Sequence, residues 1–193
     1  MKRIIVGITI GALLLGTTTA SFAEGRVARR QERQQQRIGN GVKNGSLTAG
    51  ETAHIEKQES NLNKEVRTDR QANGGTLTPQ ERHQVNQQQN GLSREIYRDK
   101  HNSAVQNTDP KSEVGKRAEN QQDRIAQGVK SGQLTAGETA NLEKNEAKIN
   151  NEVRNDRAAN GGKLTAQEKQ QVNRQQNKVS RQIYRDKHNG HRQ

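Results

Sequence analysis

Apolar residues are few in this chain, and they recur mostly at steps of seven and four residues. Steps of this size place side chains on one face of an α-helix, whereas a half-buried strand needs a period of two. The pattern therefore predicts six amphipathic helices. The first helix in each half has the sparsest apolar stripe. The stripes are, in chain order, Val27, Ile38 and Val42; Ile55, Leu62 and Val66; Val85, Leu92 and Ile96; Val114, Ala118, Ile125 and Val129; Leu142, Ile149 and Val153; and Val172, Val179 and Ile183.

Four of the predicted helices begin with the same capping signal. Each has Thr followed three residues later by Glu, so that the Thr hydroxyl can accept from the Glu N–H while the Glu carboxylate accepts from the Thr N–H. Glycine precedes each pair, and Pro79 occupies the first helical position after one of them. Each signal therefore marks the end of one helix and the start of the next. The four pairs are Thr48–Glu51, Thr78–Glu81, Thr135–Glu138 and Thr165–Glu168.

The chain contains one sequence twice. Residues 27–102 align without a gap on residues 114–189 at an offset of 87, with 50 identities over 76 positions. A period of this length indicates duplication of a small domain. We expect an all-α fold of two homologous three-helix units, each an antiparallel helical hairpin plus a preceding helix, joined by a short linker. The expected boundaries are a signal peptide at 1–23, helical unit 1 at 24–102, a linker at 103–113, helical unit 2 at 114–189 and a tail at 190–193.

The two units are expected to fold independently, with a core sparse enough to leave room for them to pack together. The linker contains Pro110, at which we expect the next helix to begin. The polar stretch 24–36 is typical of either a frayed helix or a tail.

Folding the second and third helices of each unit against each other predicts four layers in the hairpin. In unit 2 these are Val153–Val172, Ile149–Gln176, Glu146–Val179 and Leu142–Ile183. Glu146 and Gln176, like Glu59 and Gln89 in unit 1, lie in adjacent layers. They can form a buried hydrogen-bonded pair that fixes the register, or both can reach water at the edge of the seam.

The N-terminus has the pattern of a secretory signal. Lys2 and Arg3 precede an apolar run at Ile4–Leu15, and small residues follow as far as Ala23. The apolar run is short for a membrane span, so we expect cleavage after Ala23 or Ala20 and a periplasmic or secreted protein, with an uncleaved anchoring helix as the alternative.

Composition favours narrow helix seams and anionic partners. Only 26% of residues are hydrophobic, and the formal net charge is +12, of which Lys2 and Arg3 contribute two. The remaining charge of about +10 favours nucleic acid, lipid headgroups or acidic glycans as partners. With no cysteine, the fold is held without disulfides.

The segments "SREIYRDKHN" and "SRQIYRDKHN" hold both tyrosines beside basic residues. They are either a cationic patch with one aromatic ring for holding an anion, or a helix end in which basic residues complement the dipole and the tyrosine packs beside the seam. The candidate anion-binding residues are Arg94, Tyr97, Arg98, Lys100, His101, Arg181, Tyr184, Arg185, Lys187 and His188.

The segment Asn40–Glu51, "NGVKNGSLTAGE", resembles the calcium loop of an EF-hand, although Val42 offers no side-chain oxygen at its third position. The loops at Asp69–Glu81 and Asp156–Glu168 resemble it too but are one residue too long. The resemblance implies weak calcium binding as an alternative function. The competing interpretation is that each loop only joins two helices and uses the same capping chemistry. Its ligand candidates are Asp69, Asn73, Glu81, Asp156, Asn160 and Glu168.

No catalytic set is evident in either copy. Ser93 and Ser180 lie inside predicted helices without a nucleophile elbow, and one repeated histidine per unit, His101 and His188, falls short of a zinc site. The phrases "LTAGE", "NGG-x-LT" and "IYRDKHN" behind a signal are similar to small exported, uncharacterised bacterial helical-repeat proteins, a resemblance that implies no activity.

We therefore expect a non-enzymatic binding or structural module of the cell envelope. Its partner is expected to be an anionic polymer, another envelope component or a protein, and we expect no cofactor unless calcium binds. The rival class, an enzyme, would need a pocket that joins Tyr97, His101 and an acidic residue from another helix.

Overall fold

The computed structural model describes residues 17–106 and 111–192, and it confirms the all-α class. The described residues form six α-helices and no strand. None of these helices has the length and apolarity needed to cross a membrane. In chain order the helices are α1 (Thr17–Lys43), α2 (Ala49–Ala72), α3 (Pro79–Lys100), α4 (Glu113–Lys130), α5 (Ala136–Ala159) and α6 (Ala166–His188).

All four predicted capping boxes form, at the starts of α2, α3, α5 and α6. At α2 the Glu51 N–H donates to Thr48 Oγ1 at 3.3 Å, and the Thr48 N–H donates to Glu51 Oε2 at 2.8 Å. The expected start of α4 at Pro110 is wrong. Ser112 caps α4 instead, because its Oγ accepts from the Gly115 N–H at 3.0 Å. Pro110 itself lies outside the described residues.

The first helix of unit 1 is longer than its sparse stripe suggests. The stretch 24–36 is helical and buries Val27, Gln34 and Gln35, so the tail interpretation is wrong. Most of the expected signal segment 1–23 lies outside the described residues, and the backbone of its last residues, from Thr17, is the first part of α1.

Both helical hairpins have the predicted register. In α2 the Glu65 carboxylate accepts from Gln84 and Gln88, which flank the position predicted to lie opposite it in α3. In α5, Glu152 accepts in the same way from Gln171 and Gln175. These paired hydrogen bonds set the same axial offset between the two helices in both hairpins.

The most extensive packing joins helices of different units. α2 lies against α5 and α1 lies against α4, so the buried side chains of both units form one continuous core. One groove between the units combines residues 60–71 of α2 with residues 135–137 at the start of α5, and an equivalent groove combines residues 48–50 with residues 147–157. Hence α2 and α5 are antiparallel and related by an approximate two-fold axis.

Small residues permit the close approach of α1 to α4. A Cβ added to Gly39 would lie 3.2 Å from the backbone oxygen of Ala126 and 2.5 Å from Cγ of Lys130. The equivalent position in unit 2 is Ala126 itself. The Gln36 amide also donates to the backbone oxygen of Lys130 at 3.1 Å, which ties α1 to the end of α4.

Candidate functional site

The outer face of α6 carries a stripe of four basic side chains, Arg174, Lys178, Arg181 and Arg185, which we call the α6 stripe. Their spacing of four, three and four residues places them on one face of the helix, and all four are exposed. Within the described residues, none of them forms a hydrogen bond or an ion pair. The stripe spans about 16 Å along the helix axis.

A groove of about 610 Å³ lies beside the α6 stripe, between α4 and α6. The Arg124 guanidinium of α4 donates to the backbone oxygen of Ser180 at 3.1 Å, so its charge is held in place at the wall of the groove. The lining contains no acidic side chain. It consists of Arg124, Lys178, Ser180, Arg181, Tyr184 and Arg185.

The two tyrosines point into solvent, which rules out the interpretation that they pack beside the seam. Tyr97 is 61% exposed and Tyr184 is 62% exposed. Each ring stacks on the histidine one turn later, with 4.2 Å between the ring centroids of Tyr97 and His101 and 4.3 Å between those of Tyr184 and His188. Each tyrosine therefore offers one open aromatic face next to exposed arginines.

The histidines are held by their own helices. Nδ1 of His101 lies 2.6 Å from the backbone oxygen of Tyr97, and His188 makes the same contact with Tyr184. Because a carbonyl oxygen can only accept a hydrogen bond, Nδ1 is the ring nitrogen that carries the proton in each histidine.

The corresponding face of α3, which we call the α3 stripe, holds Gln87, Gly91, Arg94 and Arg98 at the positions equivalent to the α6 stripe. Arg37 fixes this surface as Arg124 does in unit 2, by donating to the backbone oxygen of Ser93 at 3.1 Å. The α3 stripe also faces a carboxylate, since Glu95 lines the same groove as Arg94 and Arg98.

Not all of the predicted basic residues belong to these surfaces. The Lys187 ammonium donates to Gln127 Oε1 at 3.1 Å, and burial together with Arg124 lowers the pKa of Lys187. Lys187 thus ties α6 to α4, while Lys100 at the equivalent place on α3 is half-buried. Sequence reasoning missed Arg124, Arg174 and Lys178. The spacing that identified the apolar stripes would have found the last two.

Four of the six predicted calcium ligands, Asn73, Glu81, Asn160 and Glu168, act as helix caps. The Asn73 side-chain amide donates to the backbone oxygen of Asp69 at 2.8 Å and to both carboxylate oxygens of Glu81, and Asn160 donates in the same way to Glu168. Hydrogen bonds from Thr78 lower the pKa of Glu81. Asn73 therefore presents N–H donors to the carboxylate, not an oxygen to a cation. Among the described residues no group of three or more His, Cys, Asp or Glu side chains is placed to hold a metal ion.

A layer of four buried carboxyl groups lies between the units, at Glu56, Glu59, Glu143 and Glu146, and we call it the carboxyl layer. Glu56 accepts from Gln35 at 3.2 Å, and Glu143 accepts from Gln122 at 3.0 Å. Neither carboxylate oxygen of Glu59 or of Glu146 has a hydrogen-bond partner in the described part of the chain.

Burial raises the pKa of every carboxyl in this layer. The pKa is about 7 for Glu59 and about 8 for Glu143 and Glu146, and that of Glu56 is well above its ordinary value. The charged groups that act on the layer are its own members, since Glu59 and Glu143 raise the pKa of Glu56 and Glu143 raises that of Glu146. At pH 7 Glu143 and Glu146 are therefore mostly protonated, and Glu59 is about half protonated.

Both sequence interpretations of the Glu146–Gln176 pair are wrong. Both side chains are fully buried, so neither reaches water. They do not bond to each other either. The Gln176 amide donates to the backbone oxygen of Val114 at 2.9 Å, and its own backbone oxygen accepts from Gln121 at 2.8 Å. Gln89 makes the same two links to α1, through Val27 and Gln34.

Fold and surface together define an all-α protein with two related basic faces, of which the one on α6 is the richer in cations. No protein-family model matches this chain, and neither a curated protein nor a solved structure gives a significant match.

Proposed function

We propose that this chain is an exported, non-enzymatic module of the cell envelope that binds an acidic polymer through the outer faces of α3 and α6. Export is supported by the signal pattern of residues 1–23. A binding role is supported by exposed cations in rows on two helices. Those of the α6 stripe form no ion pair within the described residues, whereas Arg98 of the α3 stripe contacts Asp99 at 3.2 Å.

The observation that carries the proposal is the repeated group of two arginines and a stacked tyrosine. Arg181, Tyr184 and Arg185 recur as Arg94, Tyr97 and Arg98, with the same tyrosine–histidine geometry in both units. A guanidinium offers paired donors that fit the oxygens of a carboxylate, sulfate or phosphate group. Charges spaced along a helix suit a linear polymer of such groups better than one small anion.

A binding role fits these faces better than catalysis does. The tyrosine and histidine of each unit are neighbours on one helix and open to solvent. The repeated carboxylates Glu51 and Glu138 are held by hydrogen bonds from Asn102 and Asn189 at 2.6 Å. These contacts join the end of each hairpin to the start of the same hairpin. These contacts give the Tyr-x-x-x-His-Asn sequence a structural role, so a catalytic role is not needed to explain its repetition.

The proposal predicts salt-sensitive binding of a polyanion at both faces. The protein is expressed with residues 1–23 attached, and its exported form, expected to begin at Glu24, is titrated with a defined heparin fragment while amide chemical shifts are followed. We expect shifts at Arg94–His101 and Arg181–His188 at low salt, and at least tenfold weaker binding at 0.2 M salt because counterions compete.

A parallel titration with calcium separates the alternative function. Shifts confined to Asp69–Glu81 and Asp156–Glu168 would favour weak cation binding in the helix joints, and an absence of response to heparin at low salt would disprove the proposal. A chain recovered only inside the cell, with residues 1–23 intact, would contradict the export part.

A further inference from the structure

The two basic faces are built on equivalent helices, yet they differ at the positions that add charge. Arg174 and Lys178 of the α6 stripe are matched by Gln87 and Gly91 in the α3 stripe. Arg181 and Arg185 of the α6 stripe are matched by Arg94 and Arg98 in the α3 stripe. The α6 stripe therefore has four cations where the α3 stripe has two.

Neighbouring residues increase this difference. Glu95, which lies beside the α3 stripe and contacts His54 Nε2 at 3.3 Å, is replaced in unit 2 by Gln182. Lys148 on α5 stands where unit 1 has Asn61. Each replacement makes the surroundings of the α6 stripe more positive than those of the α3 stripe.

Two other charged features also differ. Arg33 on α1 is replaced by Asn120 on α4, and Arg98 pairs with Asp99 at 3.2 Å whereas Arg185 forms no ion pair within the described residues.

The contacts to the backbone and the aromatic rings are the same in the two units. Arg124 and Arg37 hold the same contact to the backbone of α6 and α3, and the exposed tyrosines differ by one per cent in exposure. The copies thus form a comparison within one molecule, in which the backbone and the aromatic ring are constant and the charge varies.

Resting on the function proposed above, we propose that the α6 stripe with its groove is the primary binding site, and that its ligand is a linear acidic glycan bearing carboxylate or sulfate groups. Four cations along about 16 Å engage several acid groups of one strand at once. The α3 stripe is a secondary site for the same polymer.

The aromatic content favours a glycan over a single-stranded nucleic acid. Nucleic-acid strands are held by a series of rings on which successive bases stack. Each stripe here has a single tyrosine, and one face of that ring is already covered by histidine. The ring can therefore support one sugar, while the guanidinium groups bind the acid groups on either side of it.

The chain offers its own reporters for the two sites. It has two tyrosines and no tryptophan, so Tyr97→Phe leaves Tyr184 as the only fluorophore at the α6 stripe, and Tyr184→Phe leaves Tyr97 at the α3 stripe. Titrating each variant with heparin at low salt measures the two sites separately. Attraction of one basic side chain to an anionic surface is worth about fivefold in affinity, so two extra cations predict about 25-fold tighter binding at the α6 stripe.

Exchange variants test the cause of the difference. Arg174→Gln with Lys178→Gln should reduce affinity at the Tyr184 reporter to that of the α3 stripe. Gln87→Arg with Gly91→Lys should raise affinity at the Tyr97 reporter, and the new side chain has room because a Cβ at Gly91 meets nothing within 4 Å. Lys163→Gln with Lys169→Gln removes the same charge away from the stripe and should leave both reporters unchanged. Circular dichroism checks that each variant stays helical.

The outcomes distinguish this inference from the function on which it rests. A tighter response at Tyr184 that is lost in the Arg174/Lys178 variant supports it. Equal affinity at both reporters, or an equal loss in the Lys163/Lys169 control, would overturn the primary site while polyanion binding stands. No response at either reporter would refute the proposed function itself. Tighter binding of single-stranded DNA than of heparin at equal charge would overturn the glycan assignment.

Discussion

At the scale of single residues, Gln176 and Glu146 show how differently two buried polar side chains can contribute. Gln176 donates to the backbone oxygen of Val114 at 2.9 Å, and this hydrogen bond ties α6 to the first turn of α4. Glu146 satisfies nothing, because both of its oxygens are without partners in the described residues. A buried hydrogen bond is worth about 1 kcal/mol, and leaving one partner unsatisfied costs about 1 to 3 kcal/mol.

Leucine at these two positions should therefore have opposite effects. Gln176→Leu is expected to lower the free energy of unfolding by about 1 kcal/mol, because the buried hydrogen bond that ties α6 to α4 is lost. Glu146→Leu is expected to raise it at pH 8, because the cost of burying that carboxyl disappears. Urea denaturation followed by circular dichroism gives both values. A loss of stability in Glu146→Leu at pH 8 would contradict the account.

Sequence reasoning placed both residues correctly in the hairpin but assigned them the wrong partners. The register of α5 against α6 follows from spacing alone, which is why the layers were predictable. The partners of Gln176 are Val114 and Gln121 of α4, and those of Glu143 include Gln122. How the preceding helix lies across the hairpin depends on packing between distant segments, and no local pattern encodes it.

At the scale of elements, the ends of α1 and α4 are held by a leucine that packs on a glycine. The Leu47 N–H donates to the backbone oxygen of Gly41 at 3.1 Å, and the Leu134 N–H donates to that of Gly128 at the same distance. A Cβ on Gly41 would lie 2.7 Å from Cγ of Leu47, which is fully buried. The glycine leaves the space in which the turn after each helix folds back onto it.

Two glycine-to-alanine substitutions inside helices should therefore differ in sign. Gly41→Ala is expected to lower stability by about 1 to 3 kcal/mol through overpacking against Leu47. Gly91→Ala, where a Cβ would meet nothing within 4 Å, should raise it by about 0.5 to 1 kcal/mol because alanine favours the helix. Thermal melting of the two variants at one pH makes the comparison. Equal effects would show that Leu47 moves aside at no cost.

The helix starts were predictable at this scale, but the second buried face of α2 was not. Capping boxes are local, so Thr48 and Glu51 were sufficient, whereas α4 begins at a serine cap without the matching glutamate. The face of α2 towards the other unit includes Thr52, Glu56 and Glu59, all fully buried. Polar residues at buried positions give no apolar stripe, so a search for apolar spacing misses that interface.

At the scale of the whole molecule, the carboxyl layer controls how strongly the two units are held together. Its four members lie in the region where α2 and α5 pack, and two of them lack any hydrogen-bond partner among the described residues. Ionising one of them in place would bury a negative charge beside other carboxyls, which is costly in a medium of low dielectric constant. The molecule avoids this cost by keeping them protonated.

Stability should therefore fall as pH rises. The pKa of each carboxyl is higher in the folded state, about 7 for Glu59 and about 8 for Glu143 and Glu146, than the ordinary value of 4.5. Their contribution is complete below about pH 4.5 and is lost as pH rises through 7 to 8, by roughly 1 kcal/mol per pH unit for each group. Urea denaturation at intervals from pH 5 to 8 measures the slope.

Two variants test whether the carboxyl layer causes this dependence of stability on pH. Glu143→Gln with Glu146→Gln removes two titrating groups and should flatten it, whereas Glu65→Gln, a control outside the layer, should leave it unchanged. Below pH 4.5 the trend reverses, because hydrogen bonds from Thr78 and Thr165 lower the pKa of Glu81 and Glu168, and those contributions are lost as the caps become protonated. A stability that rises from pH 5 to 8 would refute the account of the carboxyl layer.

The carboxyl layer also makes the proton a ligand of the folded state. Near pH 6 the unfolded chain has Glu59, Glu143 and Glu146 ionised and the folded chain has them mostly protonated, so folding takes up about three protons at these positions. The raised pKa of Glu56 adds to this uptake. By mass action, whatever binds only the native form shifts the equilibrium towards it. Acidification of the surroundings then acts on this chain as the addition of a stabilising ligand would, and alkalinisation acts as its withdrawal, with the junction of α2 and α5 as the binding site.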